Sequence, residues 1–326
     1  MPALARGISY HTSRRGPRWR GSFAAQPPVL PPLNRRMFLK ASAVLPTALA
    51  MNLQDLRTAT SAFRKSTAMP ALFIGHGSPM NALEDNAFTR MLRQQGEEIR
   101  KRQVPNAILV VSAHWLTRGS FVTLNEHPET IHDFGGFPAE LFAMQYPAPG
   151  APAYAQQAMA LVPDLHGSDE WGLDHGTWTV LHHLFPEANV PVFQLSLDFY
   201  KTPAQHFALA AQLRELRQRG VLLVGSGNVV HNLRQSMPKL IAGDAQPYAW
   251  ATEFDEWVEQ RIERREFSQL LDVQQAGASG ALAVPTPDHY WPLLYTLALA
   301  GPNEPIRHLF EEVSYGGISM RTLAVG

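Results

Sequence analysis

Four short apolar segments alternate with longer segments of helical periodicity, and this alternation constrains the fold more than any other feature of the sequence. The strongest of the four, residues 107–112, is continuous and rich in β-branched residues, which is typical of a strand buried on both faces. The predicted strands are 71–74, 107–112, 191–197 and 221–225, and the predicted helices are 88–103, 151–161, 203–219 and 249–265. This pattern predicts a single α/β domain with a central, largely parallel or mixed sheet flanked by helices. We expect its active site at the carboxyl ends of the strands.

Histidines follow three of the four predicted strands at the same end. His76 comes after the first strand in Gly-His-Gly-Ser-Pro (75–79), His114 after the second in Ser-Ala-His-Trp (112–115), and His231 after the fourth. The carboxyl ends of parallel strands meet at one edge of a sheet, so we expect these three imidazoles to lie close together. One histidine after a strand is more often structural than a ligand, but three in equivalent places favour a shared site.

Two further histidines have an acidic neighbour. His175 follows Asp174, and His289 follows Asp288 in a proline-bounded turn before an apolar helix. A neighbouring carboxylate orients an imidazole and tunes its protonation. An aspartate at the start of a helix is equally an N-cap, so both interpretations stay open for Asp174 and Asp288.

The chain of 326 residues contains no cysteine and 13 histidines. The lack of thiols excludes disulfides, thiolate zinc sites, iron–sulfur clusters and a cysteine nucleophile. Imidazoles and carboxylates would therefore hold any metal, and imidazole suits iron, zinc, copper and nickel. Ligands from strand ends far apart in sequence favour a catalytic site over a structural one. The residues thus predict a mononuclear metal enzyme with one or two further histidines free to transfer protons.

The other eight histidines are predicted to be ordinary packing or surface residues. His182 and His183 are adjacent on a helix, so one of them is expected to face inward and the other outward. The remaining six are His11, His127, His132, His166, His206 and His308.

Charge and hydropathy exclude two classes of partner. Lys and Arg together number 28, as do Asp and Glu, and a general nucleic-acid binder needs a basic excess instead. No apolar run approaches the roughly 18 residues that a membrane-spanning helix requires.

Residues 1–68 differ in composition from the rest of the chain. The first 34 residues carry five arginines, no acid and a proline-rich stretch, which predicts a disordered leader. Arg35 and Arg36 are followed by Met-Phe-Leu-Lys and a weakly apolar stretch, which resembles a twin-arginine export signal. That resemblance implies a periplasmic protein, and the alternative is a cytoplasmic protein with a basic leader. We expect the folded catalytic domain to cover residues 69–326.

Six segments of the folded part occur in the same order in one family. They are Gly-His-Gly-Ser-Pro (75–79), Ser-Ala-His-Trp (112–115), Asp-His-Gly-Thr-Trp (174–178), His-Asn-Leu-Arg (231–234), Pro-Thr-Pro-Asp-His-Tyr (285–290) and Ser-Tyr-Gly-Gly-Ile-Ser-Met (314–320). From about residue 69 onward, the chain resembles the DOPA-dioxygenase-like class III extradiol ring-cleavage dioxygenases of the LigB-like superfamily. The resemblance implies an enzyme that opens a catechol (DOPA-like) ring beside its two hydroxyls and incorporates both atoms of O2.

The resemblance also implies one mononuclear divalent metal per chain, Fe(II) for activity or Zn(II) as found in the family. Its ligands would be His76, His114 and His289. His231 would be a further metal ligand or an acid/base, and His175 would be the second acid/base. Asp174 would hold His175. The implied partners are a small catechol and O2, with no nucleic acid and no membrane.

Aromatic residues near these motifs are candidates for a wall around the substrate ring, although packing is the commoner role for such residues. The candidates are Trp115, Phe137, Tyr290 and Trp291. Two other functions also stay open. A zinc hydrolase would use the same histidines and an aspartate to activate water. A non-catalytic periplasmic metal-binding protein would hold a metal tightly without turnover.

Overall fold

An eight-stranded sheet runs through residues 68–326, the part of the chain that the computed structural model describes. Its strands are β1 (Ala71–Gly75), β2 (Ala107–Thr117), β3 (Ser120–Thr123), β4 (Leu165–Ser168), β5 (Val192–Asp198), β6 (Val221–Gly227), β7 (Ile306–Phe310) and β10 (Thr322–Val325). Their order across the sheet is β4-β3-β5-β2-β6-β1-β10-β7. Two short strands, β8 (Val313–Ser314) and β9 (Ile318–Ser319), pair with each other outside it. The predicted leader lies outside the described residues except for Ala68, so its boundary stays a prediction.

The four predicted strands form the centre of the sheet. β5, β2, β6 and β1 are neighbours in that order, and each pair of neighbours is parallel. Antiparallel strands extend this centre on both sides, because β3 pairs with β5 and β10 pairs with β1 and β7. β4 then runs parallel to β3 at one edge. The sheet is therefore mixed with a parallel centre, which confirms the predicted fold class.

The helices of the described part flank this sheet. They are α1 (Ala87–Arg102), α2 (Ala139–Phe142), α3 (Pro152–Leu161), α4 (His175–Leu184), α5 (Pro203–Gln212), α6 (Arg214–Gln218), α7 (Leu233–Ala242), α8 (Ala249–Glu263), α9 (Ala278–Ala283) and α10 (Trp291–Ala298), with 3-10 turns at Pro79–Ala82, Gln269–Leu271 and Val273–Ala276. The predicted helices are confirmed, except that 203–219 divides into α5 and α6. None of these helices is both long enough and apolar enough to cross a membrane.

Apolar clusters cover both faces of the sheet. In β1, Phe73 belongs to one cluster while Leu72 and Ile74 belong to the other, because successive side chains of a strand point to opposite faces. The first cluster joins the sheet to α5, α8 and α10, and the second joins it to α1 and α4. The central strands are therefore fixed from both sides.

Strand β2 is longer than predicted and includes His114. Its pairing with β6 ends at Ser112, and its pairing with β5 is interrupted between Val111 and Leu116. Such an irregularity bends a strand and re-aims its side chains. His114 thus lies inside β2, rather than beyond it as predicted, but at the carboxyl end of the β2–β6 pairing.

Helices α1 and α4 approach each other closely at Gly96. A Cβ atom at this position would lie 2.1 Å from the carbonyl oxygen of Leu184. Alanine is preferred to glycine by about 1 kcal/mol inside a helix, but a clash with backbone cannot be relieved by a rotamer change. We expect Gly96→Ala to lower the free energy of unfolding by about 1–3 kcal/mol, measured by urea denaturation.

The matched control for this substitution is Gly301→Ala. The nearest atom to a Cβ there would be at 3.5 Å, an ordinary contact. A Gly96→Ala variant as stable as the wild type would contradict the close approach of the two helices.

Candidate active site

Five histidines converge at the carboxyl edge of β1, β2 and β6. The Nε2 atoms of His76 and His114 lie 3.2 Å apart. The ring centroid of His175 is 3.8 Å from that of His114, and the ring centroid of His289 is 5.0 Å from that of His114. The His231 ring stacks on the His289 ring at 3.5 Å with an interplanar angle of 4°. The structure therefore brings together the five histidines that the sequence analysis singled out.

Other described histidines have packing roles. His183 is buried, with Nε2 2.7 Å from the carbonyl oxygen of Asn81, while its neighbour His182 is only half-buried. Their burial matches the predicted inward and outward faces of the helix. His206 is buried with Nδ1 2.9 Å from the hydroxyl of Tyr295.

Close approaches between backbone segments hold the histidines in place. The N–H of His76 donates to the carbonyl of Gly227 at 3.0 Å, which ties the end of β1 to the end of β6. The N–H of Asn228 donates to the carbonyl of His289 at 2.8 Å. A Cβ atom on Gly227 would lie 2.1 Å from that carbonyl oxygen, so this approach requires glycine. The turn that carries His289 is thereby fixed against β6.

A second close approach places helix α4 against β2. His175 is the first residue of α4, and Gly176 follows it. A Cβ atom on Gly176 would lie 2.6 Å from Oγ of Ser112 and 2.8 Å from Cδ2 of His114. The absence of a side chain at Gly176 therefore lets the rings of His175 and His114 come together.

One hydroxyl group fixes the tautomer of His76. Oγ of Ser226 donates to the carbonyl of Gly176 at 2.5 Å and lies 3.0 Å from Nδ1 of His76. A serine has one O–H, so Oγ accepts its second hydrogen bond from Nδ1–H of the histidine. The lone pair of His76 is then on Nε2, the atom that faces His114.

Carboxylates contact Nδ1 of three other rings. Asp288 contacts Nδ1 of His289, so this acid orients the imidazole, one of the two interpretations left open. Oδ1 of Asp133 lies 2.9 Å from Nδ1 of His175, and its Oδ2 lies 3.4 Å from Nδ1 of His114. The Asp288 carboxylate accepts from Nδ1 of His289 and leaves the lone pair of that ring on Nε2. The negative charge of Asp133 beside Nδ1 of His175 and of His114 favours the same tautomer in those two rings.

Asp174 is the N-cap of α4, and the expectation that it holds the His175 ring was wrong. The acid beside Nδ1 of His175 is Asp133, 42 residues earlier in the chain. The carboxylate of Asp174 is instead engaged by four donors. They are the Ser112 hydroxyl (2.6 Å), the Gln194 amide (2.7 Å), the Thr177 N–H (3.1 Å) and Nε1 of Trp171 (3.3 Å).

Burial favours the neutral form of three imidazoles of the cluster. It lowers the pKa of His76 and of His114 well below the usual value, and the neighbouring histidines lower both further. Burial also lowers the pKa of His231 to about 3. Neutral imidazole is the form that binds a metal ion, so these three rings have the protonation that a metal site needs.

The donor set fits one divalent metal ion. His76, His114 and His175 each offer a ring nitrogen, and these atoms lie within 4.8 Å of one another. His289 was predicted as the third ligand, whereas this group contains His175 in its place. Imidazoles whose Nδ1 is already held by an oxygen are the usual ligands of iron and zinc.

A second group of metal-ligating side chains is already occupied by an arginine. Glu259, His308 and Glu311 offer ligand atoms within the same distance of one another. The guanidinium of Arg321 donates to Nδ1 of His308 at 2.7 Å, and it also donates to both carboxylates. Because an arginine stays charged, it takes the place of a cation in this group.

An aromatic ring in contact with the cluster is that of Phe134, whose centroid is 5.6 Å from that of His175. Phe134 was not among the predicted site residues. Phe137 packs on Phe134 with ring centroids 5.3 Å apart. Three of the candidates for an aromatic wall are buried, in keeping with a packing role: Trp115, Tyr290 and Trp291.

Comparison with known proteins identifies the class of enzyme. Residues 70–322 match the model of the family described as the catalytic LigB subunit of aromatic ring-opening dioxygenase. The chain belongs to this family of extradiol ring-cleavage dioxygenases. This finding confirms the resemblance noted in the sequence.

Individual relatives are similar over most of their length. The chain is 46% identical to the 4,5-DOPA dioxygenase extradiol of Escherichia coli (strain K12) over 270 residues, which are 80% of this chain and 96% of the relative. It is 34% identical to the 4,5-DOPA dioxygenase extradiol of Beta vulgaris, over 71% of this chain and 87% of the relative. A crystal structure of an uncharacterized protein from Escherichia coli K12 superimposes with a TM-score of 0.68 at 43% identity. The superposition covers 79% of this chain and 100% of the Escherichia coli chain.

Removal of the Ser226 hydroxyl is expected to weaken metal binding. Without it, Nδ1 of His76 loses the partner that holds its proton and orients its ring. We expect Ser226→Ala to bind a divalent metal about 10- to 100-fold more weakly, measured by competition with a chelator. Ser120→Ala is the matched control, because this buried hydroxyl has no hydrogen-bond partner in the structure. Equal affinities of the Ser226→Ala variant and the wild type would contradict the assigned tautomer.

Proposed function

We propose that this protein opens the aromatic ring of a catechol beside its two hydroxyl groups and adds both atoms of O2 to the product. The observation that carries the proposal is the cluster of five imidazoles at one sheet edge of a chain that belongs to an extradiol dioxygenase family. The names of the relatives favour a DOPA-like catechol as the substrate.

The proposed metal ligands are His76, His114 and His289, as the resemblance in sequence implies, with Fe(II) as the active metal and Zn(II) as the alternative occupant. His175, whose ring nitrogen lies within 4.8 Å of those of His76 and His114, is the alternative third ligand. Nδ1 of His76 and of His289 has an oxygen partner, and Nδ1 of His114 lies 3.4 Å from Oδ2 of Asp133, so each Nε2 is available to bind. When bound, Fe(II) supplies the Lewis acidity and the redox chemistry that a reaction with O2 needs.

His175 is the proposed acid/base. A catechol must lose protons before it binds as an anion, so a base has to lie close to its hydroxyl groups. Because Nδ1 of His175 faces Asp133, Nε2 is the atom available to take a proton from a substrate hydroxyl and to return it later in the reaction. The ring lies beside His114, within reach of a substrate at the same edge.

His231 has two candidate roles in the same reaction. Its ring stacks directly on that of His289, so it is close enough to serve as a fourth ligand or as a second acid/base. Loss of bound metal in His231→Gln would assign it as a ligand. Retained metal with reduced turnover would assign it as an acid/base.

The test of this function is anaerobic loading of the purified protein with Fe(II), followed by oxygen uptake with a panel of catechols that includes DOPA. We expect consumption of O2 together with the catechol and formation of a yellow ring-opened product. If the fully Fe(II)-loaded protein takes up no O2 with any of the catechols, the proposal is wrong.

Variants assign the roles in the same assay. We expect His76→Ala and His114→Ala to lose metal retention, and His175→Gln to keep the metal but to lower kcat by at least about 100-fold. His166→Gln, at an exposed position in β4, is the control and should match the wild type. Native turnover by His175→Gln would rule out the acid/base role.

We also propose export to the periplasm by the twin-arginine route. The support is the Arg35-Arg36 pair followed by Met-Phe-Leu-Lys and a weakly apolar stretch. Replacement of both arginines by lysine is expected to leave the protein in the cytoplasm, measured by cell fractionation. The adjacent pair Arg14 and Arg15 offers a matched control, whose replacement should not change the distribution. Export of the Arg35/Arg36 variant at the wild-type level would contradict the proposal.

A further inference from the structure

The carboxylate of Asp133 contacts two imidazoles of the cluster at once. Oδ1 accepts the backbone N–H of His175 at 2.9 Å and lies 2.9 Å from Nδ1 of the same residue. Oδ2 lies 3.4 Å from Nδ1 of His114. Each oxygen therefore faces a different ring, and the two rings come from different elements, α4 and β2.

The loop that carries Asp133 is fixed at the start of α4. The N–H of Ile131 donates to the carbonyl of Leu173 at 2.7 Å, and Nε1 of Trp178 donates to the carbonyl of Ile131 at 2.9 Å. The next residue, Phe134, packs its ring against those of His175 and Trp178. The carboxylate is thus held in position by its own loop as well as by the histidines.

We propose that Asp133 is a positioning residue that sets the orientation and tautomer of His114 and His175 together. The inference rests on the proposed function, which makes His114 a metal ligand and His175 the acid/base. The negative charge of the carboxylate lies beside Nδ1 of both rings, so it favours the proton of each ring at Nδ1 and the lone pair at Nε2. One side chain thereby aligns the metal-binding nitrogen with the proton-accepting nitrogen.

A purely structural role for Asp133 would be to cap helix α4. That helix already has an N-cap, because Asp174 accepts the N–H of Thr177. Capping the N–H of His175 needs one neutral acceptor, which an asparagine supplies as well as an aspartate. The second oxygen and the negative charge are needed only by the imidazoles, so Asp133→Asn separates the two roles.

The experiment compares wild type, Asp133→Asn and Glu129→Gln. Glu129 lies in the same loop with an exposed side chain, so its amide variant is a matched control. Metal affinity is measured without turnover, by competition between metal-free protein and a chelator for Zn(II). We expect Asp133→Asn to bind Zn(II) at least about 10-fold more weakly and, at saturating Fe(II), to lower kcat by about 10- to 100-fold. The melting temperature of the metal-free protein should stay unchanged, and Glu129→Gln should match the wild type throughout.

Each of three results would overturn the inference. They are wild-type Zn(II) affinity in Asp133→Asn, wild-type kcat at saturating Fe(II) in that variant, and an equal loss in Glu129→Gln. A lower melting temperature of metal-free Asp133→Asn would instead assign a structural role. Failure of the proposed function is seen separately, as a wild-type protein that holds Fe(II) but takes up no O2. In that case the Zn(II) affinities still decide whether Asp133 positions His114.

Discussion

The parallel pairing of β2, β6 and β1 is the constraint on which the site depends. These strands are neighbours, so their carboxyl ends meet along one short edge, and the residues that follow them have little space. The chain fits there because backbone contacts backbone directly, as where Gly227 meets the carbonyl of His289. A side chain at Gly227 would displace the turn that carries His289 and would move its imidazole away from the cluster. The positions of the histidines therefore depend first on close contacts between main-chain segments.

The protonation of the histidines depends on the short distances between their rings. Several protonated imidazoles at such short distances would repel one another, and burial removes the water that would screen them. His76, His114 and His231 are therefore favoured as neutral groups. Ser226 and Asp288 contact Nδ1 of His76 and of His289, and Asp133 lies beside Nδ1 of His114 and of His175. The Nε2 atoms of His76 and His114 already face each other without a bound ligand. A site arranged in this way loses little free energy to reorganisation when a cation binds.

The central strands and the five histidines could be predicted because their signals are local. A continuous β-branched run identifies a buried strand, and a histidine directly after it must lie at the carboxyl edge. The extension of β2 through His114 could not be predicted, since it depends on an irregular pairing with β5. The edge strands are short and were not predicted.

Asp133 has no comparable signal. It lies in a loop without regular secondary structure and reaches His175 only through the tertiary fold. Asp174, next to His175 in sequence, had the stronger local pattern, yet its side chain turns back to cap α4. Asp174 is the N-cap and His175 is the first helical residue, so their side chains point in different directions. Adjacency in sequence at the start of a helix is therefore a poor guide to which carboxylate contacts an imidazole.

Strand β10 gives the chain a particular order of assembly. It pairs with β1, although the two strands lie at opposite ends of the described sequence. Contacts so distant in sequence form late, since a long loop must close before they contribute. Until β10 has been synthesised, β1 lacks this partner and exposes a sheet edge that another chain can pair with. The side of β1 is enclosed only when β10 is present, so loss of β10 favours association between chains rather than a smaller folded enzyme.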